Sequence, residues 1–287
     1  TDGDAMERCD VYADLHTHSS ASDGTLSPSE LVAAAAEAGL RCVALTDHDT
    51  VAGVEEAVEA GKRSSVRVVA GCEMTCYRGS AEAHVLAYFP GRVPGDFSSL
   101  LEGLARERVE RIRAIAERLS GAGFPLSWDD VAEACGGSRA PGRVHIARAL
   151  VRRGFASSTA QAWSRFLEEG RPGYVPKRRL EPEEVLRMII EAGGVAALAH
   201  PGIGPRDELI APMAGRGMAA IEAMYPAHSR VNEEYYSKLA AKYGLVAIGG
   251  SDYHGAEIHA GARLGARGCD ERTVDALLSR AGARAWR

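Results

Sequence analysis

The sequence has few of the features that mark secreted, membrane-spanning or strongly basic proteins. Its 287 residues include six cysteines and no C-x-x-C pair, which excludes a disulfide framework and favours buried thiols in a reducing compartment. No apolar run approaches the roughly 20 residues needed to span a membrane, and we expect no basic-then-apolar leader. The net charge of −5 excludes a strongly basic nucleic-acid binder. We therefore expect a cytoplasmic globular protein that binds neither membranes nor long duplex nucleic acid.

Short apolar runs alternate with helical patterns in two parts of the chain. The best-marked helix begins after Ser27, which can cap it, with Pro28 in the first helical position and Glu30 completing a capping box. Seven apolar runs with helices between them favour a parallel α/β barrel. The predicted strands are residues 11–15, 42–45, 66–70, 83–88, 195–199, 219–223 and 245–248.

The middle of the chain, residues 99–185, shows helical periodicity and no convincing strand. This segment carries a net charge of +3, whereas the rest of the chain carries −8. We interpret it as a mildly basic helical insertion in an acidic barrel formed by residues 10–98 and 186–287, with residues 1–9 as a tail. Most arginines of the insertion are expected on solvated helix faces.

Nine histidines stand out against this ordinary composition. His16 and His18 end the first predicted strand two residues apart, so an extended backbone points both side chains to the same side. Asp252 and His254 repeat this spacing after the last strand. The other metal-ligand residue types at strand ends are His48, Glu73, His84 and His200. Because the carboxyl ends of parallel barrel strands converge on one face, the sequence predicts a metal centre there.

The predicted ligands are nitrogen and oxygen atoms without any thiolate. That set argues against a closed structural zinc site and suits Zn, Mn or Fe in a catalytic cluster. Neutral imidazoles leave such a cluster net cationic, so that it attracts phosphate oxygens and lowers the pKa of a bound water.

Six motifs of the sequence resemble those of the PHP superfamily, named for polymerase and histidinol phosphatase domains. They are DLHTHSSASDG from Asp14, LTDHD from Leu45, GCE from Gly71, HVLAY from His84, AHPG from Ala199 and GSDYHG from Gly250. The resemblance implies a distorted seven-stranded (βα)7 TIM-like barrel that holds two or three divalent metal ions, with Glu73 as the bridging carboxylate. The ligands it implies are His16, His18, Asp23, His48, Glu73, His84, His200, Asp252 and His254.

Asp23 points to one branch of that superfamily. From the residues alone it could equally be a turn aspartate in a Ser-Asp-Gly segment. Histidinol phosphatases of the superfamily tend to carry histidine here, whereas the stand-alone nucleotide phosphoesterases carry aspartate. The helical insertion also resembles that branch, in which it caps the barrel mouth and helps to bind substrate.

Three residues outside the metal set are candidate substrate ligands. Arg143 lies at a probable helix start, and a guanidinium at a helix N-terminus is a good phosphate site. By resemblance to nucleotide-cleaving relatives, Arg143, Lys177 and His228 would hold phosphate groups; the alternative for each is a surface charge or a structural histidine. His145 is expected either to assist Arg143 or simply to pack, and His259 is expected at the surface.

The resemblance implies hydrolysis of a nucleotide phosphomonoester, with release of phosphate. The favoured substrate is a 3′,5′-nucleoside bisphosphate that loses its 3′-phosphate, and short 5′-phosphorylated oligonucleotides are a further possibility. The expected reaction is attack by a metal-bridging hydroxide in line with the leaving oxygen, with His228, Asp252 and His254 as catalytic residues. A monomer or weak homo-oligomer is expected.

Three alternatives stay open at this point. A histidinol-phosphate phosphatase is disfavoured by Asp23 and by the insertion. A metal-dependent amidohydrolase would normally use a bridging carboxylated lysine at a strand end, where this sequence has none. A non-catalytic PHP module that binds metal for stability or for a partner would usually lose ligands, whereas all nine positions here hold one.

Overall fold

The computed structural model divides the chain into two compact units. One unit contains the residues up to Ser98 and those from Leu180 onward, and the other is Ser99–Arg179. The described residues are 11–135, 141–204, 206–256, 258 and 262–282. The predicted tail and His259 lie outside them. Among the described helices, none is long and apolar enough to cross a membrane.

Seven strands form one sheet in which each strand pairs with its neighbour in chain order. They are β1 (Ala13–Thr17), β2 (Cys42–Leu45), β3 (Arg67–Arg78), β4 (Ala81–Phe89), β5 (Val195–Leu198), β6 (Ala220–Met224) and β7 (Val246–Gly249). Thr17 also bridges Tyr253, just beyond β7, so the sheet curls into a nearly closed barrel. The expected seven-stranded α/β barrel is confirmed in this respect.

The described helices surround the sheet in the first unit and make up the second. They are α1 (Pro28–Glu37), α2 (Val54–Ser64), α3 (Gly95–Gly121), α4 (Trp128–Cys135), α5 (Arg143–Arg152), α6 (Thr159–Ala162, continued by a π-helical turn at Trp163–Leu167), α7 (Pro182–Glu191), α8 (Asp207–Gly215), α9 (Arg230–Tyr243) and α10 (Glu271–Leu278). The start of α1 shows the predicted capping box: Ser27 Oγ accepts from the Glu30 amide, and the Glu30 carboxylate accepts from the Ser27 amide at 2.8 Å.

The fourth strand runs against the others, which corrects the all-parallel prediction. Strands β3 and β4 form an antiparallel hairpin through Gly79, whose φ of 61° suits glycine, and β4 is also antiparallel to β5. Because β3 continues to Arg78, no helix separates it from β4, so the strict (βα)7 alternation is wrong. The start of β4 consequently lies at the same edge of the sheet as the ends of the parallel strands.

The barrel interior is filled mostly by small and branched side chains. Tyr88 is the largest of them; it is fully buried, and its hydroxyl donates to the carbonyl of Leu15 at 2.8 Å, which satisfies the one polar atom of that ring. Ala44, Ala197 and Ala220 are buried in the same cluster. This apolar filling supports the polar residues gathered at one edge of the sheet.

The second unit has a helical core of its own. Ile112, Ile115 and Leu119 of α3 are fully buried, as expected from their helical spacing. The unit ends at Arg179, whereas the insertion predicted from the sequence ended at residue 185. The six residues between these limits include three glutamates, so the second unit is more basic than the predicted insertion.

Candidate metal centre

The nine metal-ligand side chains predicted from the sequence come together at one edge of the barrel. They arrive from the ends of β1, β2, β5 and β7, from the middle of β3 and from the start of β4. These side chains include three overlapping groups, and within each group the ligand atoms lie within 4.8 Å of one another. The groups are His18–Asp23–His48–His254, His16–His18–Glu73–Asp252 and His48–Glu73–His84.

Glu73 lies at the centre of this cluster and is fully buried. Its Oε2 atom lies 3.2 Å from Nε2 of His16 and 3.3 Å from Nε2 of His18. The same oxygen lies 3.1 Å from Nδ1 of His48. One carboxylate oxygen therefore faces imidazole nitrogens from both of the first two strand ends.

The other oxygen of Glu73 faces two further histidines. Oε1 lies 2.8 Å from Nδ1 of His84 and 3.2 Å from Nε2 of His200. The antiparallel register places His84 opposite Thr75, two residues beyond Glu73, which puts both side chains on one face of the sheet. Glu73 was predicted at the end of its strand, but the long hairpin instead places it in the middle.

Asp252 closes the group on the side of β1. Its Oδ1 atom lies 3.0 Å from Nε2 of His18 and 3.3 Å from Nε2 of His16. Its Oδ2 atom accepts a hydrogen bond from the hydroxyl of Tyr225 at 2.9 Å. One oxygen of this carboxylate therefore faces the ligand cluster, and the other is hydrogen-bonded to Tyr225.

Asp23 forms the outer, more exposed part of the cluster. Its Oδ1 atom lies 3.3 Å from Nε2 of His254, and its Oδ2 atom lies 3.8 Å from Nε2 of His48. The preceding residue, Ser22, donates to the buried carboxylate of Asp47 at 2.6 Å. The loop that carries Asp23 is thus attached to the end of β2, and a ligand role for Asp23 stays a prediction.

Several buried atoms of the cluster have no hydrogen-bond partner among the described residues. These atoms are His16 Nε2, both ring nitrogens of His18, Glu73 Oε2, His84 Nδ1 and Asp252 Oδ1. Each buried polar atom left without a partner costs about 1–3 kcal/mol. Two ligand atoms bound to one ion at about 2.1 Å lie about 3.0–3.4 Å apart, which matches the separations around Glu73 and Asp252. The donor set therefore fits divalent metal ions.

Two carboxylates and one histidine of the cluster have protonation states that suit a cation, whereas, despite burial, nearby carboxylates raise the pKa of His16 and that of His84. Burial raises the pKa of Glu73, but the imidazoles around it, above all His16, lower that pKa well below its usual range. Burial also raises the pKa of Asp23, but the contact with His254 and nearby imidazoles bring it to about 2. Burial lowers the pKa of His18 to about 4. At neutral pH these carboxylates are ionised and His18 is neutral, as metal binding requires.

Two of the ligand residues have left-handed backbones, with φ of 25° at His200 and 51° at Asp252. Such conformations cost about 1–3 kcal/mol outside glycine and occur at functional sites. The Asp252 amide donates to the carbonyl of His16 at 2.8 Å, and the His200 amide donates to Oε2 of Glu222 at 2.7 Å. Hydrogen bonds therefore hold both strained residues in place.

Sequence reasoning missed the contribution of Glu222. This residue is fully buried in β6, and its Oε1 atom lies 3.0 Å from Nδ1 of His16. The signal was available, because a lone glutamate within the apolar strand Ala220–Met224 must have a partner when it is buried.

The PHP domain model matches residues 14–119, which include six of the nine ligands. The chain is also 31% identical over 246 residues to the 3′,5′-nucleoside bisphosphate phosphatase of Chromobacterium violaceum, and the match covers 84% of this chain and 86% of that protein. The chain belongs to the PHP family.

Two further PHP relatives have similar coverage. The 5′-3′ exoribonuclease Rnm of Salmonella typhimurium is 33% identical over 251 residues, which are 85% of each protein. A solved structure from Bifidobacterium adolescentis, assigned as a metal-dependent phosphoesterase, has a TM-score of 0.71 and 33% identity, and it covers 94% of this chain and 96% of its own. The expectation of a metal-dependent phosphoesterase is confirmed, and the relatives differ in their substrates.

The predicted substrate residues of this PHP protein are placed as follows. Arg143 is the first residue of α5, and its guanidinium lies over the ring of Trp163 at 4.5 Å. His145 accepts from the Gly142 amide through Nδ1 at 2.9 Å, so it caps the helix that carries Arg143. Lys177 is exposed in the segment after the π-helical turn. All of these residues belong to the second unit.

His228 is buried beside the His200 loop of the PHP barrel. The Gly202 amide donates to its Nε2 atom at 3.1 Å, so Nδ1 carries the proton and donates to the Ala223 carbonyl at 2.9 Å. Both ring nitrogens are therefore bound to the backbone, as in the structural alternative. A catalytic role for His228 would require exchange of the Gly202 hydrogen bond, and that role stays a prediction.

Proposed function

We propose that this protein hydrolyses the 3′-phosphate of a 3′,5′-nucleoside bisphosphate. The observation that carries the proposal is the group of three overlapping ligand sets, of which two contain Glu73 and the third contains Asp23. Asp23 takes the place where histidinol phosphatases of the superfamily tend to have histidine. The named activity of the Chromobacterium violaceum relative supports the same substrate class.

Two or three divalent ions, Mn, Fe or Zn, are proposed to occupy these ligand sets. When bound, such ions lower the pKa of a water and neutralise charge on phosphoryl oxygens. The buried set of His16, His18, Glu73 and Asp252 would hold the innermost ion. Glu73 would also contribute to a neighbouring ion, because it belongs to the set with His48 and His84 as well. The more exposed set around Asp23 would hold the outermost ion.

The chain's own residues fix the geometry of this reaction. Nδ1 of His254 donates to the Asp252 carbonyl at 2.9 Å, which leaves Nε2 directed toward Asp23. Asp252 is held through one oxygen by Tyr225, so its other oxygen keeps a fixed position. We propose Asp252 and His254 as catalytic residues because they fix the position of the reacting phosphate relative to the ions.

We propose that the second unit binds the phosphate that is not cleaved. The guanidinium carbon of Arg143 lies 4.5 Å from the centroid of the Trp163 ring, and a guanidinium stacked on that ring would keep its N–H edges for phosphate oxygens. Lys177 would add a second cation, and His145 would act through its cap on α5. The basic character of the second unit is also compatible with a short 5′-phosphorylated oligonucleotide, as for the exoribonuclease relatives.

The experiment is a phosphate-release assay on protein stripped with a chelator and reloaded with Mn²⁺. The substrates are adenosine 3′,5′-bisphosphate, a 5′-phosphorylated tetraribonucleotide and histidinol phosphate, and chromatography identifies the organic product. We expect the bisphosphate to yield 5′-AMP and phosphate, with activity restored only by metal. Turnover of histidinol phosphate alone would refute the proposed substrate class.

A matched variant separates this activity from a contaminating phosphatase. Asp252→Asn keeps the shape of the side chain but removes the charge between His16 and His18. We expect this variant to lose turnover and part of its bound metal, whereas a contaminant would be unaffected. Full activity of the variant would exclude the proposed centre as the site of hydrolysis.

A further inference from the structure

Strand β6 differs from the other described strands because it contributes none of the nine ligands. Its inward-facing Glu222 lies instead behind the ligands of two other strands. The carboxylate is fully buried and has two partners, His16 and His200.

Each oxygen of Glu222 binds a different ligand residue. Oε1 lies 3.0 Å from Nδ1 of His16, and Oε2 accepts from the backbone amide of His200 at 2.7 Å. His16 belongs to β1 and His200 follows β5, so the side chain of Glu222 connects metal-ligand residues from two different strands. Gly250 allows this arrangement, because a Cβ there would lie 2.3 Å from Cβ of His16 and 3.0 Å from Oε1 of Glu222.

The contact with His16 selects one form of the imidazole. A carboxylate accepts hydrogen bonds, so Nδ1 of His16 must carry a proton, and the lone pair of the neutral ring is then on Nε2. Nε2 is the atom that lies 3.2 Å from Glu73 and has no hydrogen-bond partner of its own. A carboxylate behind a histidine in this way fixes the ring orientation and increases its basicity as a metal ligand.

The contact with His200 stabilises a strained backbone. His200 has a φ of 25°, and its amide is the donor to Glu222. Nε2 of the same residue lies 3.2 Å from Oε1 of Glu73, whereas His16 faces Oε2. Loss of the Glu222 carboxylate would therefore release one ligand at each oxygen of Glu73.

We propose that Glu222 is a positioning residue that fixes His16 and His200 together, so that one carboxylate positions a ligand for each oxygen of Glu73. This role concerns metal binding by the chain and does not depend on which phosphate ester is hydrolysed. It rests on the proposed ligand set but not on the proposed substrate.

Glu222→Gln is the sharpest variant for this role. The amide has the size of the carboxylate but only one acceptor oxygen, so it can satisfy His16 or His200 and leaves the other N–H facing an NH₂ group. We expect the dissociation constant for Mn²⁺, measured by calorimetry on chelator-stripped protein, to rise about 10–100-fold. Glu233→Gln is the matched control, because Glu233 on α9 pairs with Arg267 instead of a metal ligand. The metal affinity of this variant should stay at the wild-type value.

A second measurement needs no substrate. In protein loaded with diamagnetic Zn²⁺ and labelled with ¹⁵N-histidine, the resonance of His16 should show a protonated Nδ1 and a metal-bound Nε2. In Glu222→Gln that signature should shift or broaden. Wild-type Mn²⁺ affinity in the variant, or a proton on Nε2 of His16 in the Zn²⁺-loaded wild type, would overturn the proposal. A failed phosphate-release assay would leave both measurements intact.

Discussion

The hydroxyl of Tyr225 donates to Oδ2 of Asp252 at 2.9 Å, while Oδ1 of the same carboxylate lies 3.0 Å from Nε2 of His18. The phenol and the imidazole thus approach opposite oxygens of one side chain. Burial and the nearby carboxylate of Asp252 both raise the pKa of Tyr225, so the phenol keeps its proton. It therefore acts as a permanent donor to Asp252 at any physiological pH.

Tyr225→Phe removes this hydroxyl and leaves the ring in place. We expect the Mn²⁺ concentration for half-maximal phosphate release to rise about 10-fold, since partners of metal ligands typically matter by that factor or more. The free energy of unfolding should change by only about 1 kcal/mol. Tyr235→Phe is the control, because the hydroxyl of Tyr235 on α9 donates to Asp207 of α8 at 2.9 Å. An unchanged Mn²⁺ requirement for Tyr225→Phe would show that the hydroxyl does not support Asp252.

Gly250→Ala should damage both the fold and the centre. A Cβ at this position would lie 2.3 Å from Cβ and 2.6 Å from the amide nitrogen of His16, and a backbone atom cannot move aside cheaply. We expect a loss of about 1–3 kcal/mol in the free energy of unfolding by urea, together with reduced metal content. Gly215→Ala, at the end of α8 with open space around its Cβ, should be neutral or slightly stabilising. Equal stability of the two variants would contradict the close approach at His16.

Arg143→Ala tests the substrate side of the proposal. Loss of a guanidinium that binds phosphate should raise KM for adenosine 3′,5′-bisphosphate about 10-fold and leave kcat close to wild type, since the interaction is uniform between substrate and transition state. Arg165→Ala is the matched control, because that guanidinium also lies over an aromatic ring, Phe166, at 5.0 Å. If both kinetic constants stayed unchanged in Arg143→Ala, its phosphate role would be wrong.

The buried cysteines should make the stability of the protein depend on pH. Burial raises the pKa of Cys42 and that of Cys269 to about 12, whereas an unfolded cysteine titrates at about 8.5. The unfolded state therefore loses these protons first, so their contribution to stability is complete below about pH 8.5 and decreases as the pH rises toward 12. Mass spectrometry after iodoacetamide at pH 8 should show these two thiols unmodified until urea unfolds the chain. Rapid alkylation in the native protein would contradict their burial.

The chemistry of the centre was easier to predict from the sequence than the path of the chain through it. Ligand types and their spacing depend on local motifs, and His16, His18 and Asp252 lie together as those motifs suggested. The reversal of β4 depends on pairing between distant strands, which the apolar run at residues 66–70 did not show. The alternation of Cys72, Met74 and Cys76, all fully buried, was the period-two signal of a longer strand.

Supporting residues were hidden for another reason. Glu222 and His228 act through partners far away in sequence, such as His16 and Gly202, and no local pattern identifies those partners. The resemblance to nucleotide-cleaving relatives suggested His228 as a phosphate ligand, but both of its ring nitrogens bind the backbone in the structure. A side chain that holds a loop and one that holds a substrate look alike until their neighbours are known.

The reversed strand has a consequence for the way such enzymes can diversify. Since β4 and β5 are antiparallel neighbours, with Tyr88 opposite Val195, everything between them is topologically one large hairpin loop. The entropic cost of closing such a loop grows only slowly with its length. A separately folded unit can therefore be enlarged, shortened or exchanged at this point while the ligands before and after it keep their register. The metal ligands of this architecture can therefore be kept while the second unit changes.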